Sequence, residues 1–207
     1  MNKAVFNKAF TQQEPIPPEG IARAVEIMQG GRLHRYNLTT NDPNDVSQLE
    51  IEFARWQGTD YCIACTSGGY AIQLGLRVCG VRPGDKVLAN AYTLAPVPGA
   101  IHAVGATPVL VDIDENYHID LGDFETKART SGAKFLLLSH MRGHIADMDQ
   151  LMATCAQHNI SLIEDCAHTM GAKWRDIRSG NFGKVAAFST QTRSEEHTSE
   201  LQSQFRI

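Results

Sequence analysis

The chain has 207 residues and lacks any block of like charge; its net charge is only −4. Nucleic-acid and membrane-surface binders show a basic face, so neither partner is expected. No apolar run approaches the roughly 18 residues that a spanning helix needs. The first residues, Met1-Asn-Lys-Ala-Val-Phe-Asn-Lys8, lack the apolar core of a secretory leader. A cytoplasmic location is therefore expected. The five cysteines are an odd number, mostly in apolar surroundings, which argues against a disulfide framework. Cys62-Ile-Ala-Cys65 has the spacing of a redox or zinc pair, but no second pair accompanies it, and it is expected in the core. None of the eight histidines stands in HExxH or another metal-ligand spacing, so no metal is expected. Repeats and low-complexity segments are also missing. What remains is 43% hydrophobic and 20% charged, the balance of an ordinary globular protein long enough for one large domain.

The pattern that is present alternates strands and helices. Residues 1–18 read as irregular and end in Pro15, Pro17 and Pro18. A helix follows with Ile21, Val25 and Met28 on one face and Gly30-Gly31 as its stop. Gly31 to Asn37 reads as a loop. A second helix runs from about Asp45 to Trp56, with Leu49, Phe53 and Trp56 expected inward and Gly58 as its stop. Strands are expected at Tyr61–Cys65, Lys86–Ala89, Thr107–Asp112, Phe135–Leu138, around Leu162–Asp165, and at Val185–Ser189. Pro108 places the third at a strand start or a sheet edge. Helices are expected at Ala71–Val78, around Ala100–Val104, at Asp120–Ala128 and at Asp147–His158. Six strands with helices between them predict an α/β fold with a doubly wound, mostly parallel sheet.

In such folds, chemistry gathers at the carboxyl ends of strands. Leu162-Ile163 reads as a buried strand whose end carries Glu164 and Asp165, with His168 three residues on. A carboxylate there can accept a hydrogen bond from a protonated ring nitrogen and keep it protonated, as the electron sink of pyridoxal phosphate (PLP) requires. A strand-end Asp can equally cap the following helix, and the stretch alone leaves both readings open. Ser67-Gly68-Gly69 lies between a strand pattern and a helix pattern, which is the arrangement of a phosphate cradle. It lacks the Gly-Lys-Ser/Thr of a Walker loop and the spacing of GxGxxG. A helix start that merely needs small residues remains the alternative.

Taken in order, these pieces resemble the DegT/DnrJ/EryC1/StrS family of fold-type-I, PLP-dependent enzymes, mostly sugar or cyclitol aminotransferases. Thr66-Ser-Gly-Gly-Tyr-Ala-Ile72 resembles the family's SGTxAL turn, with Gly69 where the family usually has Thr. Gly84–Thr93 and Gly105–Asp114 resemble its GDEVI…TF…GATPVFVDID region. His140–Asp149 resembles HxxGHxADMD, and Ile163–Ala172 resembles IEDAAQAxGA. The resemblance covers roughly residues 20–192. It implies that Ser67, Gly68 and Gly69 hold the cofactor phosphate, joined by Ser189. It implies that Asp165 pairs with the pyridine nitrogen and that His168 lies near the cofactor's 3-hydroxyl. Leu94 stands where the family usually stacks an aromatic ring; leucine packs without stacking, and Tyr92 is the neighbouring aromatic. The resemblance further implies Glu or Gln as amino donor, a keto-sugar or cyclitol ketone as acceptor, and a homodimer.

The pattern stops at the family's Schiff-base lysine. That position is Ser194 here, no Gly-Glu-Gly-Gly turn follows, and Lys173 and Lys184 stand elsewhere. Residues 193–207 are polar, without period, and resemble the translation of a sequencing-library adapter. The expectation is a PLP-binding large domain over 1–192, a non-native tail over 193–207, a missing small C-terminal domain, and a chain that is itself inactive. Some family members replace the lysine with His and act as dehydratases; position 194 is where the two chemistries part. A non-catalytic α/β ligand-binding module is the third reading. Genomic reads from independent isolates are expected to depart from the 193–207 tail after Thr192; reads running through it unchanged would contradict this.

Overall fold

The computed structural model describes residues 15–35 and 44–190. Helix α1 (Pro18–Gly30) begins at a proline, whose fixed φ suits the first turn, and ends at Gly31 in the left-handed region. Helix α2 (Asp45–Gln57) is capped by Asn44, whose side chain accepts from the Ser47 amide. Then come α3 (Gly68–Val78), β1 (Lys86–Asn90), α4 (Pro96–Ala103), β2 (Thr107–Val111), α5 (Leu121–Thr130), β3 (Phe135–Ser139), α6 (Met148–His158) and β4 (Ser161–Asp165). A short hairpin, β5 (Lys173–Trp174) with β6 (Ile177–Arg178), precedes β7 (Val185–Ala187).

Five strands form one sheet in the order β2-β1-β3-β4-β7, every pair parallel. The expected α/β class and parallel sheet are therefore observed. Pro108 lies in β2, which pairs only with β1, so its missing N–H falls on a sheet edge. The continuous apolar runs make sense because both faces are covered. Leu88, Leu136, Leu138 and Leu162 pack on one face with Phe124 of α5 and Met148 and Leu151 of α6. Val87, Ala89, Leu137 and Ile163 pack on the other with Ile72 and Leu76 of α3 and Val97 and Ile101 of α4.

Three expectations change. Tyr61–Cys65 is not a strand: Tyr61 and Ile63 are 90% and 61% exposed, and the Ala64 amide donates to the Glu50 carboxylate rather than to a strand. Cys62 and Cys65 are half-buried free thiols, not core residues. Leu49, expected inward, is 42% exposed. Ala100 does lie in a helix as expected; α4 begins four residues earlier, because Pro96 occupies a first-turn position where no intrahelical N–H is needed. The stripe Ile21, Val25 and Met28 does lie on a helix, but α1 buries none of its residues. No helix of the described residues is long and apolar enough to cross a membrane.

Successive side chains of a strand point to opposite faces. In β4 this sends Glu164 to the α5/α6 side, with Leu162, and Asp165 to the α3/α4 side, with Ile163. Glu164 is fully buried and accepts from the amides of Gly180, Phe182 and Gly183 and from the His140 ring. It thereby fixes the loop that leads into β7. Burial pushes its pKa up, but His140 and the Gly183 and Gly180 amides outweigh this and hold it below the ordinary carboxylate range. A carboxylate with a lowered native pKa binds fewer protons folded than unfolded, so its contribution is present above pH ~4.5 and lost as pH falls. Glu164→Ala is expected to cost roughly 3 kcal/mol or more, read from the urea midpoint, because buried donors lose their acceptor. The acid-side decline in stability should be shallower in Glu164→Gln.

Candidate functional site

The candidate site lies on the face shared by Asp165, α3 and α4. Asp165 ends β4 and is buried, 9% exposed. Its Oδ1 accepts from the Ala167 amide at 3.2 Å and its Oδ2 from the Ser139 hydroxyl at 2.5 Å. Asp165 is in register with Ala187 of β7, about one strand spacing (~4.8 Å) away. Ser189 lies two residues beyond Ala187. A Cβ built on Gly68 would sit 3.8 Å from the Ser189 Cβ, and one on Gly69 would sit 3.6 Å from the Pro96 Cβ. The glycine turn therefore opens beside both Ser189 and the start of α4, just beyond Leu94.

Ser67 caps α3: its side chain accepts from the Tyr70 amide at 3.2 Å. The first-turn N–H groups of Gly68 and Gly69 have no carbonyl of the helix to bond, and glycine leaves the approach to them clear. Such a helix start carries partial positive charge and suits an anion. Leu94 is 40% exposed on the rim. Tyr92 packs against Tyr117, with ring centroids 5.3 Å apart, and its hydroxyl accepts from Arg142 Nε at 2.8 Å.

His168 is buried, and its Nδ1 accepts from the Arg142 amide at 3.2 Å. A neutral His168 ring must therefore carry its proton on Nε2. Arg142 adopts φ 51°, ψ 28°, a left-handed conformation that costs a non-glycine residue energy. That backbone turn aims its amide at His168. Cys166, next to Asp165, is buried, and burial holds its thiol well above the usual range, so it remains protonated rather than a thiolate.

Of the sequence-predicted residues, Ser67, Gly68, Gly69, Leu94, Asp165, His168 and Ser189 all lie at the carboxyl ends of the strands or the adjoining helix starts. Ser194 and the tail 193–207 lie outside the described residues, as do Tyr36 and Asn37 of the predicted loop. Lys173 and Lys184 are exposed. Sequence reading missed Asn90, Ser139 and Arg142. Asn90 and Ser139 end their strands, and a polar residue closing an apolar run was the available sign.

The model of the DegT/DnrJ/EryC1/StrS aminotransferase family matches residues 19–193. The chain belongs to this family. The 3-amino-5-hydroxybenzoate synthase of Amycolatopsis mediterranei is 34% identical over 91% of this chain and 47% of that protein. L-glutamine:2-deoxy-scyllo-inosose aminotransferase of Streptoalloteichus tenebrarius is 33% identical over 86% of this chain and 42% of that protein. The crystal structure of a 3-amino-5-hydroxybenzoic acid synthase superposes with a TM-score of 0.80 at 31% identity, covering 89% of this chain and 47% of that one. The chain spans about half the length of the curated relatives it matches. Aminotransferases of the DegT/DnrJ/EryC1/StrS family are PLP-dependent fold-type-I enzymes, and the parallel sheet here is theirs.

Within that family frame, the α3 start is the feature most open to direct measurement. Ser67→Ala is expected to cost about 1 kcal/mol in urea unfolding through loss of the cap, and Ser67→Asp, which also caps, should recover most of it.

Proposed function

We propose that this chain is the cofactor-binding large domain of a PLP-dependent aminotransferase that moves an amino group from Glu or Gln to a sugar or cyclitol ketone. The observation that carries the reading is the shared face of Asp165, Ser189 and the α3 start. An acidic acceptor and an anion cradle thus stand one strand apart. The fit to PLP rests on the donor set. Gly68 and Gly69 leave amides approachable by a phosphate, Ser189 adds a hydroxyl beside Gly68, and Asp165 presents a buried carboxylate to the same side. Bound PLP supplies an electron sink through its protonated pyridine ring.

The protein's own groups have separable tasks in this reading. The amides of Gly68 and Gly69 and the Ser67 and Ser189 hydroxyls hold the phosphate. Asp165 accepts the ring N–H and holds the proton there. His168, with its proton on Nε2, serves the cofactor's 3-hydroxyl side. Leu94 packs against the ring and excludes water from one face. Residues 1–192 form the domain, and 193–207 are a non-native tail. With Ser at 194 the chain has no lysine at the position where the family anchors the cofactor, so binding is reversible and turnover absent. The intact enzyme is a cytoplasmic homodimer; the uncovered stripe Ile21, Val25 and Met28 supports a larger assembly. The inosose enzyme's name supports an amino transfer with glutamine as donor and a cyclitol acceptor. The residue that the genome encodes at 194 decides between transamination and dehydration.

Titration with PLP should give a saturable absorbance change, and borohydride should leave residue 194 unlabelled. A chain restored to its genomic continuation, with Lys at 194, should then perform a Glu- or Gln-dependent half-reaction. There, Asp165→Asn is expected to keep PLP binding and lose about 10²-fold in rate, the scale for removing one charge-stabilising group. No saturable PLP binding, or near-normal half-reaction rates in Asp165→Asn, would overturn the reading.

A further inference from the structure

We infer that Ser139 is a positioning residue for the Asp165 carboxylate, acting through its hydroxyl and itself held by Asn90. The inference rests on the cofactor reading above. Ser139 ends β3 in direct register with Asp165, so the pleat sends both side chains to the α3/α4 face. Its Oγ donates to Asp165 Oδ2 at 2.5 Å, the short range of a hydrogen bond to a charged acceptor. The Ala167 amide holds the other oxygen. One donor on each oxygen fixes a torsion that is otherwise broad. Each oxygen has a second lone pair, so an acceptor position remains for a ring N–H.

Ser139 is anchored in turn. Its amide donates to Asn90 Oδ1 at 2.9 Å, and Asn90 Nδ2 donates to the Ser139 carbonyl at 3.1 Å and to the Tyr92 carbonyl at 2.9 Å. Asn90 and Ser139 are 1% and 5% exposed, so water competes little for these bonds. The ends of β1, β3 and β4 are thus tied into one lateral row that terminates at Asp165. A nitrogen acceptor needs a carboxylate held in direction as well as in place, and this row supplies the direction. Ser139 itself does not reach the cofactor in this account.

The test compares PLP with its carbocyclic analogue, in which CH replaces the ring nitrogen, by absorbance or fluorescence titration of the full chain. Ser139→Ala is expected to raise the Kd for PLP about tenfold while leaving that of the analogue within about twofold, since only PLP uses the aligned carboxylate. Ser139→Thr, which keeps a hydroxyl, should restore PLP affinity. Should Ser139→Ala fail to fold, Ser139→Val against Ser139→Thr isolates the hydroxyl at equal shape. Equal losses for both compounds, or no loss for either, would overturn the positioning role while leaving the cofactor reading intact. Failure of the unsubstituted chain to bind PLP would overturn both.

Discussion

The pleat of one strand separates two adjacent carboxylates, and the rest of the structure depends on that separation. Glu164 and Asp165 are neighbours in sequence but face opposite sides of the sheet. Glu164 spends its charge on the fold: three backbone amides and the buried His140 ring converge on a carboxylate that is itself fully buried. Those amides belong to the loop that enters β7, so Glu164 sets where Ala187 and then Ser189 lie. The close approach is backbone on backbone. A Cβ on Gly183 would meet the Leu162 carbonyl at 2.6 Å, which makes glycine a requirement there. Asp165 is thereby left to face α3 and α4 with its partners already placed. Two consecutive carboxylates are thus held on opposite faces of the sheet by different partners.

The sheet was legible because its strands are short, continuous apolar runs, which is what burial on both faces demands. The helices between them were legible from period and from acidic caps; Asp120 and Asp147 do cap α5 and α6. Tyr61–Cys65 misled because an apolar run states a preference for burial or for a strand edge, and the Glu50 side chain took the amide that a strand would have needed. The candidate residues named from sequence came from contiguous stretches: the turn at Ser67–Gly69, the strand end at Asp165–His168, and the serine after β7. Asn90 and Ser139 could not be found that way. Their partners lie 49 and 26 residues away, and sheet register, which no local pattern encodes, brings them together. Arg142 was hidden for another reason, since its left-handed backbone carries no glycine to announce it.

Three kinds of contact therefore meet at the same edge of the sheet. Helix start α3 offers outward amides, β4 offers an acceptor, and the turn after β3 offers the amide that orients His168. Each is held by a neighbouring group: Ser67 caps the helix start, Ser139 and Asn90 hold the acceptor, and the Arg142 amide holds the imidazole. Such backing residues matter because an acceptor or donor that drifts by an ångström loses most of its electrostatic value. The apolar stripe of α1 lies outside this arrangement, and none of its residues is buried among the described residues.

The central claim is that the Asp165 carboxylate receives the N–H of a pyridine ring. Nitrogen-15 NMR of ring-labelled PLP bound to the chain tests it directly, followed as the pH is raised. The account predicts that the bound ring nitrogen stays protonated to a higher pH than in free PLP, and that Asp165→Asn abolishes the difference. A ring nitrogen that loses its proton at the same pH bound and free would contradict it.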